Sequence, residues 1–386
     1  MVVRLILAFI AFISLGMPDM LLGVAWPSMR GVFGVELSAA GWLVLAGTLG
    51  YTMSALAAVA IMRRLNLGML LTLSATLTGL GLLAFLLTPW FGWMVLIGLA
   101  TGFGGGAIDV ALNQYVMDNH SERLMQWLHA SFGAGVTVGP VLVALALASD
   151  SGWRLAYGAV GAVMMLLAAL FLLTRRVWPA LSTQSPNHVP SGWRESLKTP
   201  AVVIQILMFM IYTGCELGVG VWAFVLMTEG RDVSIVTAGF WVSAYWGGFT
   251  LARVLMGTWA HHLDHWRLLS LSLLTSVVAV VLWAWNPTVI VGLVALALLG
   301  AGFGPIYPGL MSATRARVGA HHAARTVSLQ VGLAVIGAGL LAGLIGWVAE
   351  QLGVTSIPLT VGALIGLLVL LEWMQRRGAR AQAVHL

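Results

Sequence analysis

The sequence is poor in charged residues and in cysteine. Only 8% of its 386 residues are Asp, Glu, Lys or Arg, whereas 60% are hydrophobic. A soluble domain has about 25% charged residues, so this chain has too few charges to cover a water-exposed surface. The single cysteine, Cys215, excludes an intrachain disulfide and a CxxC metal site. The shortage of charge therefore indicates an integral membrane protein.

Apolar runs of about 20 residues alternate with short polar breaks, a pattern typical of transmembrane helices rather than of a barrel. The 46 glycines suit close helix packing in lipid, and the 17 tryptophans suit the membrane interfaces. We expect the N-terminal run to be a span rather than a cleaved signal peptide. We predict an all-α fold with twelve spans, at residues 4–27, 38–62, 67–88, 91–117, 124–148, 153–174, 200–227, 234–258, 266–285, 288–313, 323–348 and 355–374.

A long polar stretch, RRVWPALSTQSPNHVPSGWRESLK, separates the sixth span from the seventh. It predicts an N-terminal six-helix bundle at 1–174, a cytoplasmic linker at 175–198, and a C-terminal six-helix bundle with a short tail at 199–386. The fourth and tenth spans share glycine-rich centres, GFGGG and GAGFG. Two such pseudo-symmetric halves resemble the major facilitator architecture, in which substrate binds between the halves near the midplane.

The basic residues indicate the orientation of the chain. Sixteen of the 19 fall on the side that holds the N-terminus, and only Arg30, Arg154 and Arg231 fall on the other. Positively charged loops stay in the cytoplasm. We therefore expect both termini on the cytoplasmic side of a bacterial-type inner (plasma) membrane, and no nucleic-acid partner despite the net charge of +6.

Three acids, Asp19, Asp109 and Glu216, lie well inside predicted spans. An ionised carboxylate there costs about 3 kcal/mol on insertion scales. No basic residue lies comparably deep in the sequence pattern, and Arg253 comes closest. We predict that these acids carry protons during transport. The alternative is that they are protonated and only hydrogen-bond between helices.

Polar residues cluster around Asp109. Asn113 follows one helical turn later and Gln114 lies beside it, while the next span contributes Gln126 and His129. Carboxyl, amide and imidazole groups together suit the hydroxyls of a sugar, so we predict that these five residues bind substrate. The alternative to substrate binding by His129 is a structural hydrogen-bonding role. The neighbouring glycines, Gly104 to Gly106, allow close approach either of a ligand or of a packed helix.

The second half offers aromatic residues and helix breakers. We predict that Tyr212, Trp222 and Tyr245 line the substrate cavity, with an ordinary packed core as the alternative. For gating we expect Pro18 to break the first span, Pro305 and Pro308 to bend the tenth, and Arg253 with Gly257 to form a cytoplasmic gate. Adjacent histidines, as in His261/His262 and His321/His322, do not share a helix face. We therefore expect no metal site and no cofactor.

The stretch GAIDVALNQYVMDNHSERLMQWLHASFGAGVTVGP resembles the fucose:proton symporter branch of the major facilitator superfamily. The matching positions are an acid, an asparagine four residues later, an arginine in the following turn and a polar residue before FG, here Asp109, Asn113, Arg123 and His129. PDMLLGVAWP, which contains Asp19, is similar as well. The resemblance implies a monomeric, proton-coupled sugar importer with Asp19 and Asp109 as its proton and substrate pair. Fucose permeases have glutamate where Asp109 stands, which leaves the particular sugar open.

A second function stays open. An apolar cavity with few acids also suits a proton-driven exporter of drugs or other amphipathic compounds. The polar residues around Asp109 favour sugar symport over export. We do not expect an enzyme, because the sequence has no Walker A motif and GFGGGAID has no strand before it.

Overall fold

The computed structural model describes residues 2–62, 64–120, 122–149, 152–178, 193–258 and 264–384. These ranges are helical almost throughout, as predicted. The α-helices are α1 (Val2–Phe33), α2 (Ala40–Met62), α3 (Leu67–Ala84), α4 (Phe91–Asn119), α5 (Glu122–Ala148), α6 (Gly152–Thr174), α7 (Trp193–Leu197), α8 (Pro200–Gly230), α9 (Ile235–Thr258), α10 (His265–Trp285), α11 (Val289–Phe303), α12 (Ile306–Val318), α13 (Ala320–Leu352) and α14 (Ile357–Val384).

Within the described ranges, eleven helical stretches are long and apolar enough to cross a membrane, and α11 and α12 together form one of them. The remaining predicted span is α9, a helix of 24 residues whose tryptophans, tyrosine, glycines and Arg253 make it less apolar. Large apolar side chains point outward: Leu56, Leu87 and Leu173 are each more than 80% exposed. With eleven apolar helical stretches and such outward-facing side chains, the chain is a multi-pass membrane protein.

The first compact unit comprises Met1–Ser185 and Gly220–Gly247. In it α1 packs on α5, α2 packs on α4, and α3 packs on both α4 and α6. Close backbone approaches depend on glycine. For example, a Cβ on Gly16 of α1 would lie 2.9 Å from the backbone nitrogen of Val136 in α5.

The second compact unit comprises Pro186–Val219 and Gly248–Leu386. Here α8 approaches α13 at Gly214 and Gly337, α9 approaches α11 at Gly248, and α10 packs on α11 and α14. These pairs repeat the order of the first unit, first with fifth, second with fourth and third with sixth, which agrees with an internal repeat. The predicted boundaries at 174 and 198 stay a prediction, because residues 220–247 group with the first unit and 179–192 lie outside the described residues.

Proline interrupts one predicted span and not the other. The prediction that Pro18 breaks the first span is wrong, because α1 is continuous from Val2 to Phe33. Pro18 removes a single donor, for the carbonyl of Ser14, and the packing of α1 on α5 holds the helix together. In the tenth span Pro305 and Pro308 remove two donors three residues apart. There the helix does stop, with α11 ending at Phe303 and α12 beginning at Ile306.

Candidate functional site

Asp109 lies in the second half of α4, and two neighbours donate hydrogen bonds to its carboxylate. The Tyr51 hydroxyl of α2 donates to Oδ2 at 2.5 Å, and the Asn113 amide, one turn along α4, donates to Oδ1 at 3.0 Å. Both carboxylate oxygens are therefore fixed in direction. Asp109 is partly buried and Tyr51 is 37% exposed, so the group lies at the edge of an accessible space.

The glycines before Asp109 explain how Tyr51 reaches it. A Cβ on Gly106 would lie 2.8 Å from the Tyr51 carbonyl oxygen and 3.0 Å from its Cα, so α2 contacts α4 directly at this point. A Cβ on Gly104 would lie 2.7 Å from the Ser74 carbonyl oxygen of α3. On Gly105 it would make only an ordinary contact with Leu15 of α1, at 3.5 Å. Gly104 and Gly106 thus let α3 and α2 approach α4 closely just before Asp109, which is a role in helix packing.

Asp19 of α1 completes a pair of carboxyl groups. It is exposed, it lies close enough for its charge to repel that of Asp109, and among the described residues it has no hydrogen-bond partner. His129 of α5 is close enough to Asp109 for an electrostatic interaction between the imidazole and the carboxyl group. The imidazole packs edge-on against the buried Phe12 ring, with 5.8 Å between ring centroids. Helices α1, α2, α4 and α5 therefore converge on one carboxyl pair.

This arrangement can hold a proton and bind a polyhydroxylated ligand. Repulsion between two nearby carboxylates is relieved when one of them takes up a proton. The exposed Asp19 oxygens accept hydrogen bonds, while the Asn113 amide and the His129 ring can each donate one. A sugar hydroxyl is both donor and acceptor, so it matches this mixed set.

The other predicted substrate residues of the first unit lie apart from the carboxyl pair. The Gln114 amide donates to Asp118 at 2.8 Å, farther along α4. Gln126 is in α5, but its side chain lies outside the described part of the chain. Trp222 and Tyr245 are fully buried among packed side chains. Substrate contact by these four residues stays a prediction.

Glu216 belongs to a cluster in the second unit. Its carboxyl is hydrogen-bonded to the Tyr212 hydroxyl and interacts with the positive charge of Arg253. The Arg253 guanidinium also stacks over the Phe249 ring, 4.1 Å from its centroid. The expectation that no cation neutralises the acids inside spans is therefore wrong for Glu216. Helix α8 carries the acid and α9 the base, and no spacing rule in the sequence links the two.

The same cluster contacts the break between α11 and α12. Pro308 cannot donate to the Gly304 carbonyl, and Arg253 Nε donates to that oxygen instead, at 3.1 Å. The fully buried Tyr212 donates to the Phe303 carbonyl at 3.0 Å. The predicted gating residues Arg253, Pro305 and Pro308 thus lie at one place, whereas Gly257 lies in the last turn of α9, near its end at Thr258.

Tyr212 can link the protonation of Glu216 to this break. Its hydroxyl has a single hydrogen. When that hydrogen bonds to Phe303, the oxygen can only accept a hydrogen bond from a protonated Glu216. An ionised Glu216 instead competes with Phe303 for the same hydrogen. Tyr212 thus takes part in hydrogen bonding here, and its predicted place in the lining of the cavity stays a prediction.

Two further contacts were missed from the sequence. Tyr51 has no neighbour in the chain that marks it as polar, since its partner Asp109 is 58 residues away. Arg30, at the end of α1, forms an ion pair with Glu229, near the end of α8, at 2.6 Å. Both residues lie just outside the predicted spans 4–27 and 200–227, and nothing in the sequence pattern links them.

Comparison with known proteins identifies the family of the chain. The sequence model of the Major Facilitator Superfamily matches residues 5–342. The chain is 21% identical over 313 residues to the glucose/mannose transporter GlcP of Bacillus subtilis (strain 168), an alignment that covers 78% of this chain and 76% of GlcP. It is 22% identical over 343 residues to the human sodium-dependent glucose transporter 1, covering 78% of this chain and 65% of that protein.

A yeast relative is matched over a shorter part. The chain is 23% identical over 281 residues to Bypass of stop codon protein 6 of Saccharomyces cerevisiae, covering 66% of this chain and 56% of the yeast protein. The alignments therefore span less than two thirds of both the yeast and the human relatives.

Solved structures show the same fold at low sequence identity. A bacterial homologue of the human lysosomal transporter Spinster, in an inward-facing and occupied conformation, superposes with a TM-score of 0.76 at 16% identity, covering 98% of this chain and 96% of that chain. The nucleoside transporter NupG superposes with a TM-score of 0.77 at 13% identity, covering 96% of this chain and 98% of that one. From the family match over most of its length, the chain belongs to the Major Facilitator Superfamily.

Proposed function

We propose that the protein is a secondary active transporter that carries a hexose or a related sugar together with protons by alternating access. The observation that carries the proposal is the carboxyl pair in the first unit. Asp109 is held by Tyr51 and Asn113, and the exposed Asp19 lies next to it without a hydrogen-bond partner among the described residues. Two of the relatives are named for glucose transport, which supports a sugar as the substrate class.

In the proposed mechanism Asp19 and Asp109 share the transported proton. Uptake of a proton relieves their repulsion and frees the remaining oxygens to accept hydrogen bonds from sugar hydroxyls. Coupling requires that the proton and the sugar together favour a conformational change that neither favours alone. Asn113 and His129 orient the sugar, and Tyr51 keeps Asp109 in place.

Glu216 is proposed to take part in proton coupling from the second unit. The protonation state of Glu216 determines whether the Tyr212 hydroxyl donates its hydrogen bond to the Phe303 carbonyl, beside the break between α11 and α12. Gain or loss of a proton by Glu216 then changes the hydrogen bonding at the helix break, where a span can bend.

The protein is further proposed to work as a monomer in a bacterial-type inner membrane, with both termini in the cytoplasm. The division of sixteen basic residues against three supports this orientation. The complete carboxyl site within one unit of one chain supports function without a second copy.

The substrate and the driving ion are tested by uptake into proteoliposomes. Labelled hexoses and deoxyhexoses are supplied with an inward proton gradient, with an inward sodium gradient, or with neither. We expect accumulation of one sugar that needs the proton gradient and is abolished by a protonophore. Accumulation that needs the sodium gradient would contradict proton coupling and identify sodium as the coupling ion.

The alternative function is proton-driven export of small amphipathic compounds. The same vesicles distinguish it when loaded with a fluorescent hydrophobic cation. Gradient-dependent movement of the cation, with no uptake of any sugar, would overturn the sugar proposal and favour the exporter.

A further inference from the structure

Three side chains with metal-ligating atoms meet where the linker helix α7 contacts the start of α13, inside the second unit. His321 Nε2 lies 3.0 Å from Oε1 of Glu195, and the His321 and His322 rings have centroids 4.8 Å apart. One ligand atom from each of the three side chains lies within 4.8 Å of the other two. The cluster lies outside the carboxyl site and takes no part in the proposed transport mechanism.

We propose that Glu195, His321 and His322 form a binding site for a divalent transition metal such as Zn²⁺. Two imidazole nitrogens and one carboxylate oxygen are a common zinc ligand set, and they leave a fourth position for water. A metal about 2.1 Å from each ligand places the ligand atoms about 3.4 Å apart. The widest separation must then close by about 1.4 Å. The side chains of Glu195 and His321 are 60% and 65% exposed, so they are free to make this movement.

The hydroxyl groups around His322 resemble the outer layer of a metal site. The buried Ser196 hydroxyl lies 3.2 Å from His322 Nδ1, and the Thr199 hydroxyl lies 3.5 Å from Nε2. A hydrogen bond to one ring nitrogen orients the other nitrogen toward a metal. The shorter contact, to Ser196, is the one expected to persist when the metal binds.

The backbone beneath the cluster is well packed. Val202 and Ile206 of α8 form a buried apolar core with Val318, and Ala323 of α13 packs against it. Gln330 of α13 accepts a hydrogen bond from Thr314 at 3.0 Å and donates one to Gln205 at 3.2 Å. Helix α13, which carries His321 and His322, is therefore held in place by its packing.

The ligand set favours one kind of metal. It contains a single carboxylate, which disfavours cations such as Ca²⁺ that need several carboxylates. Neutral imidazoles bind zinc and its neighbours in the transition series instead. The proposed site departs from the sequence-based expectation of no metal site, which stays untested. That expectation considered only the helix face of His321 and His322, whereas Glu195 comes from 126 residues away.

The experiment uses full-length protein purified without a polyhistidine tag, and Co²⁺ and Zn²⁺ as probes. Visible absorption of bound Co²⁺ reports nitrogen ligands, and calorimetry with Zn²⁺ gives the affinity and the number of sites. The variants are Glu195→Gln, His321→Gln and His322→Gln. The matched control is the double variant His261→Gln/His262→Gln, which removes the other adjacent pair of histidines in the sequence.

We expect one site per chain in the wild-type protein and in the control, and at least about tenfold weaker binding in each of the three variants, as for the loss of a metal-site partner. Zn²⁺ should also raise the melting temperature of the wild-type protein and not that of His321→Gln. The proposal is overturned if the wild-type protein binds no Zn²⁺, or if binding is lost in the His261/His262 control and kept in the other variants.

Discussion

At the scale of single residues, two hydrogen-bond donors fix the orientation of the Asp109 carboxylate. Tyr51 and Asn113 each donate a hydrogen bond to one oxygen of this carboxylate, so the direction of the remaining lone pairs is set before any substrate binds. A hydrogen bond to a charged group is worth about 1.5–3 kcal/mol. Loss of either donor should therefore weaken the site measurably without unfolding the helix that carries it.

Tyr51→Phe removes the hydroxyl and keeps the ring. We expect about a tenfold loss of apparent sugar affinity, because a loss of about 1.4 kcal/mol corresponds to that factor. The measurement is the concentration dependence of sugar uptake in proteoliposomes. Tyr115→Phe is the matched control: its hydroxyl faces His120, outside the site, at 3.3 Å. Equal effects of the two substitutions would contradict the role given to Tyr51.

A second prediction at this scale concerns the electrostatic interaction between Glu216 and Arg253. Arg253→Met leaves the acid without its cation, and Glu216→Gln leaves the base without its anion. Because an unpaired charge in a poorly solvated place costs more than a missing pair, we expect the double variant to be more stable than the Arg253→Met variant. Melting temperatures of the four proteins of this cycle give the comparison, and strictly additive effects would show that the two charges do not interact.

At the scale of helices, the approach of α2 to α4 depends on Gly106. Gly106→Ala places a methyl group against the backbone of Tyr51, which cannot move as a flexible side chain can. We expect a strong loss of transport, because Tyr51 is pushed away from Asp109. Gly105→Ala adds the same group against Leu15 at ordinary contact distance and should leave transport nearly unchanged. Equal activity of both variants would contradict the packing argument.

The helices themselves were largely predictable, since length and hydropathy fix where a chain can cross lipid. Breaks within them were not. Pro18 and Pro305 look alike in sequence, yet only the second coincides with a break. Two features distinguish the tenth span. It has a second proline at 308, and Arg253 of another helix donates a hydrogen bond to the Gly304 carbonyl.

The site was predictable to a similar degree. Asp109 and Asn113 share a helix face, so their pairing follows from the helical period. Tyr51, and the link from Arg253 to Glu216, depend on which helices pack together. Single-sequence periodicity does not carry that information, because any apolar helix in lipid can pack against any other. For the same reason the burial of Trp222 and Tyr245 did not follow from their sequence context.

At the scale of the whole molecule, the helix pairs of the first unit recur in the second, but the acids do not. Asp19 and Asp109 of the first unit interact with each other, whereas Glu216 of the second unit interacts with the positive charge of Arg253. This asymmetry supports the proposal that the first unit carries the transported proton and that the helix break of the second unit responds to it. Asp109→Asn is therefore expected to abolish gradient-driven accumulation of sugar while exchange of sugar across the membrane continues.

The most direct test measures proton movement itself. Proteoliposomes in a weakly buffered medium receive the transported sugar, without any imposed gradient, while an external pH dye is followed. The account predicts that sugar addition makes the external medium more alkaline for the wild-type protein, and that Asp109→Asn exchanges sugar without changing the pH. Sugar uptake by the wild-type protein with no change in pH, or an unchanged signal in the double variant Asp19→Asn/Asp109→Asn, would contradict it.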